Sequence, residues 1–175
     1  MSIRHVLDTP SKRRRPEFLA AVARSRRLHR GVVTPPRTAV AFDTYLKRFR
    51  QPTNISYWVR TADGDLAGVI NISEIVRGAF RSGYLGYYAF MPHHRQGHMR
   101  SGLSAVLREA FQTHGLHRVE ANIQPHNIAS RRLVRRLGFR REGFSPRYLK
   151  VCGRWRDHER WALTVEDWRS RSRAD

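Results

Sequence analysis

A chain of 175 residues, 40% of them hydrophobic, is long enough to bury one real core and offers no support for two domains. Its 34 basic residues against 14 acidic ones give a formal charge of +20, and all the basic residues but Lys12, Lys47 and Lys150 are arginine. Such a surface disfavours polycationic ligands and draws polyanions such as RNA, or is simply a solvated basic surface. A single cysteine, Cys152, excludes an internal disulfide. No apolar run approaches the roughly 20 residues that span a bilayer, so no membrane partner is expected. The charged opening "MSIRHVLDTPSKRRRPEF" has no apolar stretch behind it, which argues against a signal peptide and for a cytoplasmic location.

In chain order, "PEFLAAVARSRRLH" (16–29) opens on proline and continues in helix formers, so it predicts a helix; the prolines of "TPPRTAVAFDTYLKRF" place a second one over 38–49. "ISYWVR" (55–60), the turn "TADGDLAG" and "VINISEIV" (69–76) predict a hairpin, and "GYLGYYAF" (83–90) a third strand. After Gly97, residues Leu103, Val106, Leu107, Ala110 and Phe111 fall on one helical face, with Gly115 as the stop. "LHRVEANIQ" (116–124) alternates as a strand. "HNIASRRLVRRLGF" predicts a short helix with Ala129, Leu133 and Leu137 aligned, and "RYLKVCGRWRDHERWAL" a closing hairpin around Gly153. Two helices, three antiparallel-looking strands, then alternating helices and strands predict an α/β domain with a mixed sheet over residues 1–168, followed by a basic, disordered tail, 169–175.

The stretch "MPHHRQGHMRSGL" (91–103) carries the chemistry. His93, His94 and His98 have no carboxylate or cysteine beside them to complete a metal shell, and Pro92 and Gly97 break the helix that would align them; no metal is expected. The setting suits a phosphate: a strand ends at Phe90 and a helix starts near His98, so outward N–H groups and the helix dipole favour an anion. Gly97, without Cβ, lets a pyrophosphate come close, and Arg95 and Arg100 flank the turn. An ordinary strand–helix turn with a solvated basic rim fits the same residues.

The wider pattern resembles a known family. "HRQGHM", "LHRVEANIQPHNIASRRLVRRLGFRREGF" and "YLKVCGRWRDHERWAL", spread over Tyr87 to Leu163, are similar to the turn, the "P-x-N-x-x-S" segment with its "LGF" helix and the closing segment of the GNAT acetyltransferases, most of all their ribosomal-protein-alanine N-acetyltransferase branch. The resemblance implies a GNAT-type mixed, mostly antiparallel central sheet flanked by helices, with acetyl-CoA as co-substrate. It implies that the pantetheine lies along Tyr88, Ala89 and Phe90, where main-chain N–H groups polarise the thioester carbonyl, and that the pyrophosphate sits on Arg95, Gln96, Gly97, His98, Met99 and Arg100. His94 and Met99 depart from the general Gln/Arg-x-x-Gly-x-Gly/Ala pattern.

Asn127 is expected both to cap the following helix and to face the cofactor. Ser130 is the candidate acid for the departing sulfur, or a first-turn capping residue. Val134 stands where many relatives outside the branch carry a tyrosine acid, so that route is absent. Glu120 is a candidate base, with Glu74 behind it; for each, a surface ion pair with an arginine is the plainer reading. A strong base is not required for an α-amine, whose pKa of about 7.7–8.0 compares with about 10.4 for lysine. Trp155 is expected to pack; Asp157 and His158 belong to the branch signature. The expected acceptor is the N-terminus of a ribosomal protein, met on a ribosomal particle or RNA through the basic surface, with Arg131, Arg132, Arg135 and Arg136 as the contacts. A small amine acceptor, and a basic RNA-binding protein without catalysis, are the alternatives.

Overall fold

The computed structural model describes residues 6–172. In chain order these form β1 (Val6–Asp8), a 3-10 turn, α1 (Arg15–Arg24), α2 (Arg26–His29), α3 (Ala39–Arg48), β2 (Ile55–Arg60), β3 (Leu66–Val76), β4 (Ser82–Ala89) and α4 (His98–Arg108), which runs into a π-helical turn. There follow β5 (Arg118–Ile123), α5 (Ile128–Arg136), β6 (Arg140–Val151), β7 (Arg154–Thr164) and α6 (Val165–Ser172). The seven strands make one sheet in the order β1-β2-β3-β4-β5-β7-β6, antiparallel everywhere except between β4 and β5.

Each face of the sheet carries its own core. On one face the predicted stripe of α4, Leu103, Val106, Leu107, Ala110 and Phe111, is buried against Val59, Ile70, Ile72, Val119, Ala121 and Trp161. On the other, α1 and α3 cover β2 to β4 through Phe18, Phe42, Trp58, Tyr88 and Phe90. Trp58 is fully buried; its Nε1 donates to the Tyr45 hydroxyl, which lies 2.5 Å from Ser56 Oγ. Arg60, 6% exposed, binds Asp8 through Nε at 2.8 Å and grips both oxygens of Glu17, so one guanidinium ties β1, β2 and α1 together. A buried cation is tolerated only when paired in this way.

The predicted helix 16–29 is broken at Ser25. The Ser25 hydroxyl donates back to Ala21 O at 2.8 Å and accepts from Met91 N at 2.9 Å, so the break docks α1 on the end of β4. In α5 the predicted stripe holds at Leu133 and Leu137, which pack against the core, but Ala129 is exposed and Val134 is the fully buried residue, in one cluster with Phe139 and Trp161. Neither β1, only three residues long, nor α6 was expected. Residues 169–172 of the expected tail belong to α6, and 173–175 lie outside the described residues.

Trp155 is 62% exposed, contrary to the packing expected of it; it sits near the turn of the long β6–β7 hairpin, beyond the reach of either core. Asp157 has a structural task in that hairpin. The register slips between Ser145 and Leu149, Arg147 takes a positive φ of 48°, and Arg147 N donates to Asp157 Oδ1 at 2.7 Å. His158 is buried, and its Nδ1 binds Arg156 O at 2.9 Å; burial pushes its pKa down, so the ring is a neutral packing element.

Candidate active site

The strands β4 and β5 run parallel but pair over three residues only, Ser82–Tyr84 with Arg118–Glu120. Both continue, to Ala89 and Ile123, so beyond Tyr84 a gap opens between them in the middle of the sheet. Phe90 N donates to Ala67 O at 2.8 Å. Antiparallel alternation then turns the main-chain groups of Tyr88 and Phe90 toward β3 and those of Tyr87 and Ala89 toward the gap. The side chains of Tyr88 and Phe90 are 9% and 0% exposed in the second core. Of the three strand residues singled out in the sequence, only Ala89 therefore presents its main chain to the gap.

At the end of β4 the chain turns into α4. Gly97 is the N-cap, with φ 88° in the left-handed region, and no side chain caps the helix. The first-turn N–H groups of a helix have no partner inside it, and they face outward with the positive end of the dipole. No acidic residue lies in this first turn, while Arg95 and Arg100 are exposed on either side. Gln96 Nε2 holds the loop through Pro92 O at 3.1 Å. Met99, which departs from the family pattern, packs onto β3: a Cβ at Gly68 would collide with the Met99 sulfur. A cleft of about 430 Å³ beside the turn is lined by Thr61, Asp63, Pro92, His93, Gln96 and His98. A helix head with free N–H groups and flanking arginines can hold an anion. A second cleft, about 400 Å³, lies at the far end of β2 against Arg50, Asn54, Arg77 and His114 and holds none of the expected site residues.

On the α4 face, α5 brings its N-terminus to the gap. Asn127 is the N-cap, its side chain accepting from Ser130 N at 3.2 Å. The cap uses the main chain of Ser130, which leaves the hydroxyl for another partner. That partner is Tyr87 on β4, whose hydroxyl lies 2.5 Å from Ser130 Oγ. Burial pushes the Tyr87 hydroxyl up to about 12, so it remains protonated at neutral pH. Sequence reasoning missed Tyr87. Its position on the same strand face as Leu85, pointing to the helix that carries Ser130, was the available signal, and it requires knowing that β4 and α5 meet.

Glu120 lies on the opposite sheet face from Ser130, since Val119 and Ala121 are the residues of β5 that face α5. Its carboxylate is 2.9 Å from Arg118 Nε, and the same guanidinium also binds Glu142. Glu74 pairs with Arg48 at 3.1 Å. Among the arginines of α5, Arg131 is bound to Glu159 at 2.9 Å and to Pro125 O, and Arg135 lies over the Trp161 ring; Arg132, Arg135 and Arg136 are exposed.

Residues 4–140 match the family described as acetyltransferase (GNAT) domain. The chain is 43% identical over 104 residues to the [Ribosomal protein uS5]-alanine N-acetyltransferase of Escherichia coli (strain K12), which covers 59% of this chain and 54% of that relative, so the match spans about half the length of the relative. The solved structure of Mycobacterium smegmatis RimJ in complex with CoA-disulfide superposes with a TM-score of 0.85 at 26% identity, over 93% of this chain and 83% of that one. A mutant of the spermidine N-acetyltransferase SpeG from Vibrio cholerae shares the fold at 19% identity, with a TM-score of 0.78 over 96% of this chain and 98% of that one.

Proposed function

Because the chain belongs to the GNAT acetyltransferase family, we propose that it transfers the acetyl group of acetyl-CoA to a primary amine, and that the amine is the N-terminal α-amino group of a ribosomal protein. The observation that carries the reading is the gap between β4 and β5, flanked by an uncapped helix N-terminus at its outer end and by the Tyr87–Ser130 pair on one face. Acetyl-CoA supplies an acetyl thioester, which an amine attacks directly while the thiolate leaves.

The chain's part is chiefly positioning. The first turn of α4, with Arg95 and Arg100, holds the pyrophosphate. Main-chain N–H groups of Tyr87 and Ala89 face the gap, where they polarise the thioester carbonyl. Ser130 Oγ gives its proton to the departing sulfur as the carbon–sulfur bond breaks and takes one back from solvent before the next turnover, while the Tyr87 hydroxyl, protonated throughout, holds Ser130 in place by its hydrogen bond. The proton released by the amine nitrogen passes to water, since an α-amine near its own pKa needs no strong base. Ser130 is thus proposed as the acid. Glu120, held by Arg118, is assigned no step here.

The name of the 43% identical relative supports the ribosomal acceptor, and so does charge. A +20 surface repels spermidine and free basic proteins alike but is attracted to ribosomal RNA. The acceptor is accordingly met on a ribosomal particle, with Arg132, Arg135 and Arg136 as contacts and Arg131 occupied by Glu159. Co-sedimentation with ribosomal particles across a salt series tests this. Binding should weaken with a log–log slope of roughly −0.7 per phosphate contacted on single strands, and Arg132→Ala with Arg136→Ala should flatten it. Absence of binding at low salt, together with efficient acetylation of a free ribosomal protein, would defeat the docking while leaving acetyl transfer intact.

A further inference from the structure

Four glycines lie inside strands: Gly68 in β3, Gly83 and Gly86 in β4, and Gly143 in β6. Glycine weakens a strand interior and marks a bulge, a bend or the close approach of a ligand or another backbone. Three of the four are explained from within the fold. A Cβ would strike the Met99 sulfur and the Tyr88 carbonyl at Gly68, the Ile72 side chain at Gly83, and the Arg160 guanidinium at Gly143. At Gly86 a Cβ would meet nothing within 4 Å among the described residues. Gly86 has no positive φ, and the pairing of β4 with β3 runs unbroken past it from Ala89 opposite Gly68 to Tyr84 opposite Ser73, so neither a turn nor a bulge requires it.

The open space lies against the gap. Gly86 is exposed, and strand alternation puts it with Tyr84 and Tyr88 on the sheet face of α1 and α3, opposite the face of α5 and Ser130. The next residue, Tyr87, turns its main-chain N–H into the gap. At the outer end of this face His29, packed on Tyr88 and Phe90, donates through Nε2 to Ala89 O at 2.8 Å, and Gln124 Nε2 donates to Gly31 O at 3.1 Å. Residues 29–31 therefore reach from the end of β4 to the end of β5. At the inner end stand Tyr84 and Glu120, where the two strands pair. Burial pushes the Tyr84 hydroxyl up, and Tyr148 of β6 and Glu120 beside it push it further. Gly86 is the floor of the opening left between that strap and this group.

We propose that the space over Gly86 seats the first residue of the acceptor, and that the missing side chain at position 86 sets which first residues are taken. The proposal rests on the acetyltransferase reading above and deepens it. The amine must reach a thioester carbon held in the gap beside Tyr87 N, and Ser130 with the departing sulfur occupies the α5 side. The amine therefore comes from the side of Gly86, which leaves its α-carbon and first side chain over that residue. A Cβ at position 86 would take up part of this room, and a branched side chain more of it. A strand glycine that no contact of the fold explains, at the place where the acceptor's first residue must lie, is the observation that carries the proposal.

The test uses the full chain with peptides that differ only in the first residue: glycine, alanine or serine. Relative to the unaltered protein, Gly86→Ala and Gly86→Val should lower kcat/KM least for the glycine peptide and most for the serine peptide, with the KM for acetyl-CoA unchanged. For Gly86→Val the alanine peptide should lose about tenfold or more, the scale set by a methylene or two in a pocket. The melting temperature should not fall, because the added Cβ meets nothing and a β-branched residue suits a strand. Equal losses for all three peptides, or no loss, in a folded variant would overturn the proposal. A raised KM for acetyl-CoA with unchanged peptide kinetics would assign the space to the pantetheine and overturn it as well. Should Gly86→Val fail to fold, Gly86→Ala decides by the same order of losses. Absence of acetyl transfer by the unaltered protein would instead remove the acetyltransferase reading, and this proposal with it.

Discussion

Gly97→Glu is expected to raise the Kd for acetyl-CoA by about 100-fold or more, measured by calorimetry in moderate salt so that nonspecific attraction to the basic surface is screened. Two effects add. The residue sits at φ 88°, where a side chain costs about 1–3 kcal/mol of strain. The new carboxylate would also occupy the outward-facing N–H groups at the head of α4, where the pyrophosphate is to bind. Gly97→Asn separates them, because asparagine tolerates the left-handed region and brings no charge; its loss should be about tenfold or less. The melting temperature of Gly97→Glu should fall by about 2–4 °C per kcal/mol of that strain, offset in part by the favourable negative charge at a helix N-terminus, and that of Gly97→Asn should fall less. Unchanged affinity in a folded Gly97→Glu protein would remove this turn from the site.

Ser130→Ala should lower kcat by about 10²–10⁴, the range of positioned acid–base groups, with the KM for acetyl-CoA little affected. The helix cap survives, because Asn127 accepts from the main-chain N–H of residue 130 and not from its hydroxyl. What Ser130→Ala does leave behind is the buried Tyr87 hydroxyl without its partner, at a cost of about 1–3 kcal/mol. Tyr87→Phe removes the other half and should slow turnover less than Ser130→Ala. The double variant Tyr87→Phe with Ser130→Ala removes both hydroxyls, so its melting temperature should recover toward that of the unaltered protein while turnover stays low. That split between stability and rate is the signature of an acid backed by a second hydroxyl; near-normal turnover in Ser130→Ala would reduce the pair to a structural hydrogen bond.

Much of this arrangement is legible in the sequence because it is local. The run "ISYWVR" matches β2 residue for residue, the spacing of Leu103 to Phe111 places the buried stripe of α4, and "PHNIAS" marks Asn127 as a cap. Tertiary contact decides the rest. Ser25 breaks a good helix former because Met91 N, 66 residues away, claims its hydroxyl. Val134 rather than Ala129 is buried, beside the packed Leu133 and Leu137, because the sheet decides which side of α5 faces inward. Tyr87 gains its meaning only once α5 is laid beside the gap. The start of α6 is different: "TVED" could have been read as a helix start, and in the structure Asp167 N donates to Thr164 Oγ1 at 3.4 Å while that hydroxyl donates to Asp167 Oδ2 at 3.1 Å.

Mass spectrometry of a peptide carrying both a free N-terminus and a lysine, incubated with the protein and acetyl-CoA at neutral pH, bears most directly on acetyl transfer to an α-amine. One acetyl group should appear on the N-terminal nitrogen, dependent on acetyl-CoA and reduced about 10²–10⁴-fold in rate by Ser130→Ala. No acetyl-CoA-dependent product, or an acetyl group placed on the lysine instead, would contradict it.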